Sequence, residues 1–176
     1  MTDLASLLLD VADFPRPGVT FKDVTPLLAS AEGLAAAVDA LVGSAPAGVD
    51  LVVGLEARGF LFGPPVALAL GVGFAPVRKP GKLPRETISA SYTLEYGEET
   101  LALHSDALAP GTRVLVVDDV LATGGSAVAA AGLVTRLGGE VLQVSVLLEL
   151  TGLGGRARLA EQGVDRVHAV LTDGGP

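Results

Sequence analysis

Two adjacent carboxylates, Asp118 and Asp119, stand between an apolar run, Val114-Leu-Val-Val117, and a turn-forming stretch, Ala122-Thr-Gly-Gly-Ser126. The run suits a strand buried on both faces. The stretch from Thr123 to Ser126 opens the next helix, so it offers unpaired backbone N–H groups, hydroxyls and the positive end of the helix dipole to an anion. Burying two neighbouring carboxylates is costly unless they are paired or hydrogen-bonded. They are therefore expected at the strand's carboxyl end, facing a cleft. Acids beside a phosphate-binding turn suit a ligand whose vicinal hydroxyls lie close to a phosphate, as in ribose 5-phosphate. The bland alternative, a surface turn with fortuitous Asp and Gly, fits Thr-Gly-Gly alone far better than it fits the whole stretch. Neither the Walker spacing nor Gly-x-Gly-x-x-Gly is present, which disfavours nucleoside triphosphates and NAD.

Arg78, Lys79 and Lys82 gather in a chain of net charge −8, forming a local positive field of the kind an anionic ligand requires. The alternative is a solvated charged loop. The acidic balance argues against a surface that coats nucleic acid or an anionic membrane. The chain has no cysteine, which excludes disulfides, thiol catalysis and Cys-ligated zinc. His104 and His168 stand apart and read as structural or surface groups rather than ligands. The first ten residues lack the basic region of a signal peptide, and apolar stretches such as 64–70 fall short of the roughly 20 residues a membrane helix needs. A soluble, cytoplasmic protein is expected.

Several elements must position these groups. A short helix capped by Asp3 is expected to run to Val11, followed by a long Pro- and Gly-rich loop from Phe14 to Pro26. A helix is expected from Ser30 to Val42, a buried strand from Asp50 to Gly54, a helix from near Pro64 to Gly71, and a strand from Phe74 to Val77. After a loop over 78–86, alternation from Ile88 to Tyr96 marks a half-buried strand. A turn over 96–99 and a run from Thr100 to His104 then complete an antiparallel hairpin that projects as a flap. Next come a strand from Arg113 to Val117, a helix from Ser126 to Leu137 and a strand from Glu140 to Leu148. A helix from Gly155 to Gln162 and a strand from Asp165 to Leu171 close the chain. This alternation predicts an α/β fold with a mostly parallel sheet flanked by helices and ligands outside its carboxyl ends. Aromatic residues make up only 4 %, so the core must be built from Ala, Val and Leu. At 176 residues, one domain is expected.

The stretch from Val114 to Ser126 resembles the phosphoribosyl pyrophosphate motif of the type I phosphoribosyltransferases. Four further segments resemble the adenine-specific members: 13–23 (DFPRPGVTFKD), 54–63 (GLEARGFLFG), 78–84 (RKPGKLP) with 92–97 (YTLEYG), and 149–153 (ELTGL). The resemblance runs in order along most of the chain. It implies a type I phosphoribosyltransferase fold over residues 1–176, with residues 1–30 as a base-covering hood and 78–104 as a lid loop and flexible hairpin flap. By the same resemblance, Ala122, Thr123, Gly124, Gly125 and Ser126 hold the 5-phosphate, and Asp118 and Asp119 approach the ribose hydroxyls. Ser126 departs from the family's frequent threonine, and either residue supplies a hydroxyl.

Glu56-Ala57-Arg58-Gly59 resembles the pyrophosphate loop, where a strained peptide is expected and Arg58 neutralises the leaving group. Arg78, Lys79 and Lys82 join it. Glu95 resembles the family's catalytic glutamate, although the pattern alone fits an outward polar residue equally well. Tyr96 either closes on the substrate or packs. Thr20, Phe21 and Lys22 are placed over the base and Leu153 beneath it, while Phe21 as a simple core anchor stays open. The implied reaction is adenine plus phosphoribosyl pyrophosphate giving AMP and diphosphate, with Mg²⁺ held mainly by substrate oxygens, no all-protein metal site, and a homodimer as the assembly. The rivals are another base, such as xanthine, hypoxanthine or orotate; a nucleic-acid-binding regulator that senses phosphoribosyl pyrophosphate; and a purely structural module. The N-terminal loop favours adenine over other bases, and the regulator lacks a basic face or a helix-turn-helix.

Overall fold

The computed structural model describes residues 2–94 and 97–173 and divides the chain into two compact units, Met1–Ala40 and Leu41–Pro176.

In the first unit Asp3 does cap the chain, accepting from the backbone N–H of Ala5 and Ser6. Only a single 3-10 turn follows it, Ala5–Leu7, and the expected helix to Val11 gives way to a strand, β1 (Leu9–Ala12). The expected irregular loop is likewise interrupted: β2 (Thr20–Asp23) pairs antiparallel with β1. Proline and glycine occupy only the connection between them, and backbone pairing with β1 decides the conformation of 20–23. Helix α1 (Thr25–Ala29) takes Pro26 in its first turn, where the missing N–H removes no helical bond. Helix α2 (Ala31–Ser44) extends across the boundary into the second unit.

The second unit is built on five parallel strands: β3 (Leu51–Leu55), β4 (Gly73–Val77), β7 (Arg113–Leu121), β8 (Glu140–Glu149) and β9 (Val167–Thr172). Their order is β4-β3-β7-β8-β9. Parallel neighbours require crossovers, supplied by α3 (Gly63–Leu70), α4 (Gly125–Arg136) and α5 (Gly155–Ala160). The chain steps from β3 outward to β4, then returns to place β7 on the other side of β3. The strand order therefore reverses between β3 and β7, and the crevice at their carboxyl ends is where such sheets accept ligands.

The core follows from composition. Val53, Leu55, Val114, Val116, Val144 and Val146 of the central strands are buried, and α4 presents Ala127, Ala130, Ala131, Leu133 and Val134 to them. Each fully buried Val or Leu contributes about 1.5–3 kcal/mol. The alanines let α4 lie close to the sheet with few aromatics to fill space.

Strand β7 runs through Leu121 rather than stopping at Val117, because β8 continues to pair with it as far as Leu121↔Glu149. Asp118 and Asp119 thus lie within the last four residues of the strand.

The hairpin joins β5 (Thr87–Leu94) to β6 (Gly97–His104), with Leu94 paired to Gly97. Glu98 and Glu99 are therefore strand residues, not the turn expected from the sequence. The hairpin also does not project freely over its described length. Leu101, Ala102 and Leu103 are buried, Arg136 of α4 donates to the Ser89 carbonyl at 2.5 Å, and Arg78 and Ala102 exchange backbone hydrogen bonds of 3.0 and 2.7 Å. Its apolar face completes the core.

Candidate active site

The site is assembled from the carboxyl ends of β3 and β7. Past β7, Ala122 and Thr123 lead to Gly124, whose φ of +78° starts α4. This left-handed conformation favours glycine, and a Cβ would also lie 2.8 Å from the carbonyl oxygen of Gly155. Gly125 is held from the other side by the hairpin: a Cβ there would lie 2.6 Å from the ring of Tyr92. Backbone N–H groups at the start of a 12-residue helix thus line a tight cradle, with Thr123 exposed and Ser126 half-buried. This geometry suits a phosphate.

Asp118 and Asp119 stand immediately before the cradle. Asp119 is 4 % exposed, and Arg58 Nε lies 2.9 Å from its Oδ2. This is an ion pair without a directed hydrogen bond, since Asp119 Oδ2 is buried and accepts none. The backbone N–H of Asp119 donates to Asp118 Oδ1 at 2.9 Å. Burial drives the Asp118 carboxyl well above the usual range, and the neighbouring Asp119 charge adds to the shift. Burial also raises Asp119, with Arg58 opposing. Two acids shifted upward beside an arginine and an anion cradle are the pattern of a functional cleft rather than of a stabilising contact.

Arg58 comes from a 3-10 turn, Arg58–Leu61, directly after β3. The preceding Glu56–Ala57 peptide is cis, at the position where the resemblance led us to expect an unusual one. The Glu56 carboxylate is taken up by the basic loop. Arg78 Nε and Nη2 donate to its two oxygens at 3.1 Å each, and the Lys79 N–H donates at 3.0 Å. The Arg78 contact holds the Glu56 carboxyl below its ordinary range. Arg78 also donates to the Lys82 carbonyl at 3.2 Å, and its guanidinium lies 5.9 Å from the Phe60 ring centroid. Arg58, Arg78, Lys79 and the backbone of Lys82 are thus gathered around one loop pair.

Lys79 Nζ lies 3.2 Å from Glu99, and Glu99 in turn accepts from the Tyr92 hydroxyl at 2.8 Å. Tyr92, Glu99 and Phe60 touch this cluster and were not singled out from the sequence. The signal for the first two was the hairpin register, which is hidden when 96–99 is read as a turn. Glu95 and Tyr96 lie outside the described residues.

Leu153 sits in a 3-10 turn, Thr151–Leu153, beyond β8 and is 52 % exposed. Its turn is clamped by Asp173, which accepts from Thr151 N and Oγ1 at 2.9 and 2.8 Å. The turn is also fixed by Arg156, which grips buried Glu149 at 3.1 and 2.5 Å. In the first unit, Thr20, Phe21 and Lys22 lie on β2. Phe21 meets Phe14 edge-on at 5.1 Å, and Lys22 pairs with Asp10 at 2.7 Å.

Comparison with known proteins agrees with this architecture. Residues 21–170 match the family model described as phosphoribosyl transferase domain. The chain is 60 % identical over 169 residues to the adenine phosphoribosyltransferase of Cutibacterium acnes, covering 96 % of each. It superposes on the adenine phosphoribosyltransferase of Thermoanaerobacter pseudethanolicus with a TM-score of 0.92 at 46 % identity, covering 97 % of this chain and 98 % of that one. The Saccharomyces cerevisiae adenine phosphoribosyltransferase, solved with an iminoaltritol bisphosphate and adenine, gives a TM-score of 0.89 at 41 % identity, covering 96 % and 97 %. A tight helix start after β7 and a basic loop after β4, near the strand-order reversal, accord with these matches. The chain belongs to the adenine phosphoribosyltransferase family.

Proposed function

We propose that the chain transfers the 5-phosphoribosyl group of phosphoribosyl pyrophosphate to N9 of adenine, giving AMP and diphosphate in purine salvage. The observation that carries this reading is the placement of Arg58 against Asp119, one turn from the cradle that begins at Gly124. The site presents donors to both phosphate ends of a sugar donor and acceptors to its middle.

The 5-phosphate takes the N–H groups and hydroxyls from Ala122 to Ser126, and Asp118 and Asp119 accept from the ribose hydroxyls. Arg58, Arg78, Lys79 and Lys82 receive the diphosphate, with Glu56 and Ala57 shaping the loop. The adenine N9 lone pair forms the new bond to C1 of the ribose as the C1–O bond breaks, and the electron pair leaves with diphosphate. Catalysis on this scheme is positioning together with charge stabilisation of the leaving group. Arg58 is the principal such group. Glu95 manages the proton of the base, while Thr20, Phe21, Lys22 and Leu153 contact its faces and edge.

The donor set fits a magnesium ion carried by the substrate. Two adjacent carboxylates, one with a buried oxygen that accepts no hydrogen bond, are oxygen donors of the kind magnesium takes. Carried in with the substrate, such an ion would supply charge neutralisation to its oxygens, with Asp118 and Asp119 as the nearby carboxylates.

The reading includes a hood over residues 1–30, a lid over 78–104, a cytoplasmic setting and a homodimer. Exposed Leu61 and Leu68, 44 % and 81 % accessible, are apolar surface of the kind an interface covers. Among the described residues no helix is long and apolar enough to cross a membrane.

The test is to incubate the protein with phosphoribosyl pyrophosphate, Mg²⁺ and, separately, adenine, hypoxanthine, xanthine or orotate, and to follow diphosphate release. Turnover with adenine is expected. Turnover confined to another base overturns the specificity, and tight donor binding without turnover on any base overturns the activity.

A further inference from the structure

The cations around the cleft are matched to carboxylates in unequal ways. Glu56 is saturated, accepting two N–H groups from Arg78 and one from Lys79, and its partner Arg78 is one-third exposed. Lys79 and Glu99 meet through a single contact of 3.2 Å, with side chains 57 % and 37 % exposed. Exposed single-contact pairs are weak and exchange readily. An anion arriving at the basic loop can displace Glu99 from Lys79 far more easily than it can displace Glu56 from Arg78.

Glu99 is nevertheless not a wandering side chain. Tyr92 is its direct cross-strand partner, and the Tyr92 hydroxyl donates to Oε2 at 2.8 Å while Lys79 addresses Oε1. The Tyr92 ring is itself fixed against Gly125 in the phosphate cradle. The Tyr92 hydrogen bond and the lysine both hold the Glu99 carboxyl below its ordinary range, so it is an anion at neutral pH. A contiguous path therefore runs from the cradle through Tyr92 and Glu99 to the ammonium of the basic loop.

We propose that Glu99, oriented by Tyr92, is the internal counter-ion of Lys79 and competes with the donor's diphosphate group for that ammonium, so that it is a positioning residue setting donor affinity. This rests on the reading of Lys79 as a diphosphate ligand. Each binding event exchanges a carboxylate for a diphosphate oxygen at Lys79, and each release returns Lys79 to Glu99. The weak pair thus limits how tightly the product diphosphate is retained.

The experiment compares wild type, Glu99→Gln, Lys79→Met, the double variant and Glu98→Gln. It measures KM for phosphoribosyl pyrophosphate at saturating adenine and Mg²⁺, together with calorimetric binding of diphosphate alone. Glu99→Gln keeps an acceptor for Tyr92 and removes only the charge. It is expected to tighten both donor and diphosphate about two- to fivefold, the scale of an exposed ion pair, while KM for adenine is unchanged. That tightening should vanish in the Lys79→Met background, and the exposed neighbour substitution Glu98→Gln should give a smaller change.

Unchanged or weaker donor binding in Glu99→Gln overturns the proposal. So does a tightening that persists without Lys79, or one that Glu98→Gln reproduces in full. Lys79→Met with unaltered affinities overturns both this proposal and the role of Lys79. Failure of wild type to turn over adenine sinks the proposed activity instead, and the diphosphate titrations still decide the question of Glu99.

Discussion

Strand β7 has an aspartate–arginine contact at each of its ends, and the two are built in opposite ways. At the amino end, Arg113 donates Nε and Nη2 to the two oxygens of Asp50 at 2.9 Å each, and its backbone N–H adds a third bond at 3.0 Å. Both side chains are nearly half exposed, and these bonds pull the Asp50 carboxyl down to about 2. At the carboxyl end, Asp119 is buried, Arg58 approaches one oxygen without a directed hydrogen bond, and burial pushes the carboxyls of Asp118 and Asp119 up. The satisfied pair fastens the start of the strand. At the other end the buried Asp119 Oδ2 accepts no hydrogen bond and so keeps capacity in reserve, which is where a ligand gains most.

The comparison is broken most severely if Arg58 behaves like Arg113. On the proposed reading, Arg58→Gln removes charge stabilisation from the departing diphosphate, and kcat should fall about 10²–10³-fold, the usual loss for one such donor. Arg58→Lys should recover only part of this, because a point charge does not reproduce the guanidinium fork. Arg113→Gln should change kcat less than about twofold, since its partner lies at the far end of the strand. Steady-state kinetics on the three variants checks this, and equal losses for Arg58→Gln and Arg113→Gln would erase the distinction.

The next effect separates activity from stability. On the proposed reading, Asp118→Asn removes a carboxylate that accepts from the ribose hydroxyls, and kcat/KM should drop about 10–100-fold, the scale of one or two charge-assisted hydrogen bonds. Stability should move the other way. A carboxyl whose folded-state value is raised favours the fold below its unfolded value, and that contribution is lost as pH rises towards the folded value. Wild type therefore carries a penalty that grows above about pH 4, near the unfolded value, and the asparagine variant does not. Melting curves from pH 4 to 8 should show the Tm of Asp118→Asn equal to or above wild type, with the gap widening as pH rises. A lower Tm throughout would falsify the assignment of Asp118 as an acid held for function.

Much of this contrast was legible in the sequence, and the illegible part has physical reasons. The apolar run from Val114 to Val117 marked β7, and Gly124 and Gly125 marked the cradle, because each answers to a local rule: two-sided burial, or a left-handed helix start. Asp118 and Asp119 were recognised as chemistry at the strand's carboxyl end, but the strand itself was expected to stop at Val117. Strand length is set by the partner, and β8 pairs on to Glu149. The same cause hid β2, whose conformation depends on β1 rather than on its own propensity. Glu99 escaped notice because its contacts depend on a cross-strand register and on Lys79, twenty residues away. Short-range pattern identifies groups; pairing between distant segments decides what each group meets.

The smallest expected effect lies at the amino end of β7. Asp50→Asn leaves every group of the crevice in place, so kcat/KM should stay within about twofold of wild type. The stability sign is the reverse of that for Asp118. A carboxyl with a lowered folded-state value contributes stability that is fully present above its unfolded value and is lost as pH falls through the folded value, here about 2. Asp50→Asn should therefore melt slightly below wild type at pH 7. The difference should close as the pH approaches 2 and shrink in high salt, because the pair is exposed and screened. The same melting series should therefore give opposite pH slopes: as the pH rises, the Tm difference from wild type grows more positive for Asp118→Asn and more negative for Asp50→Asn.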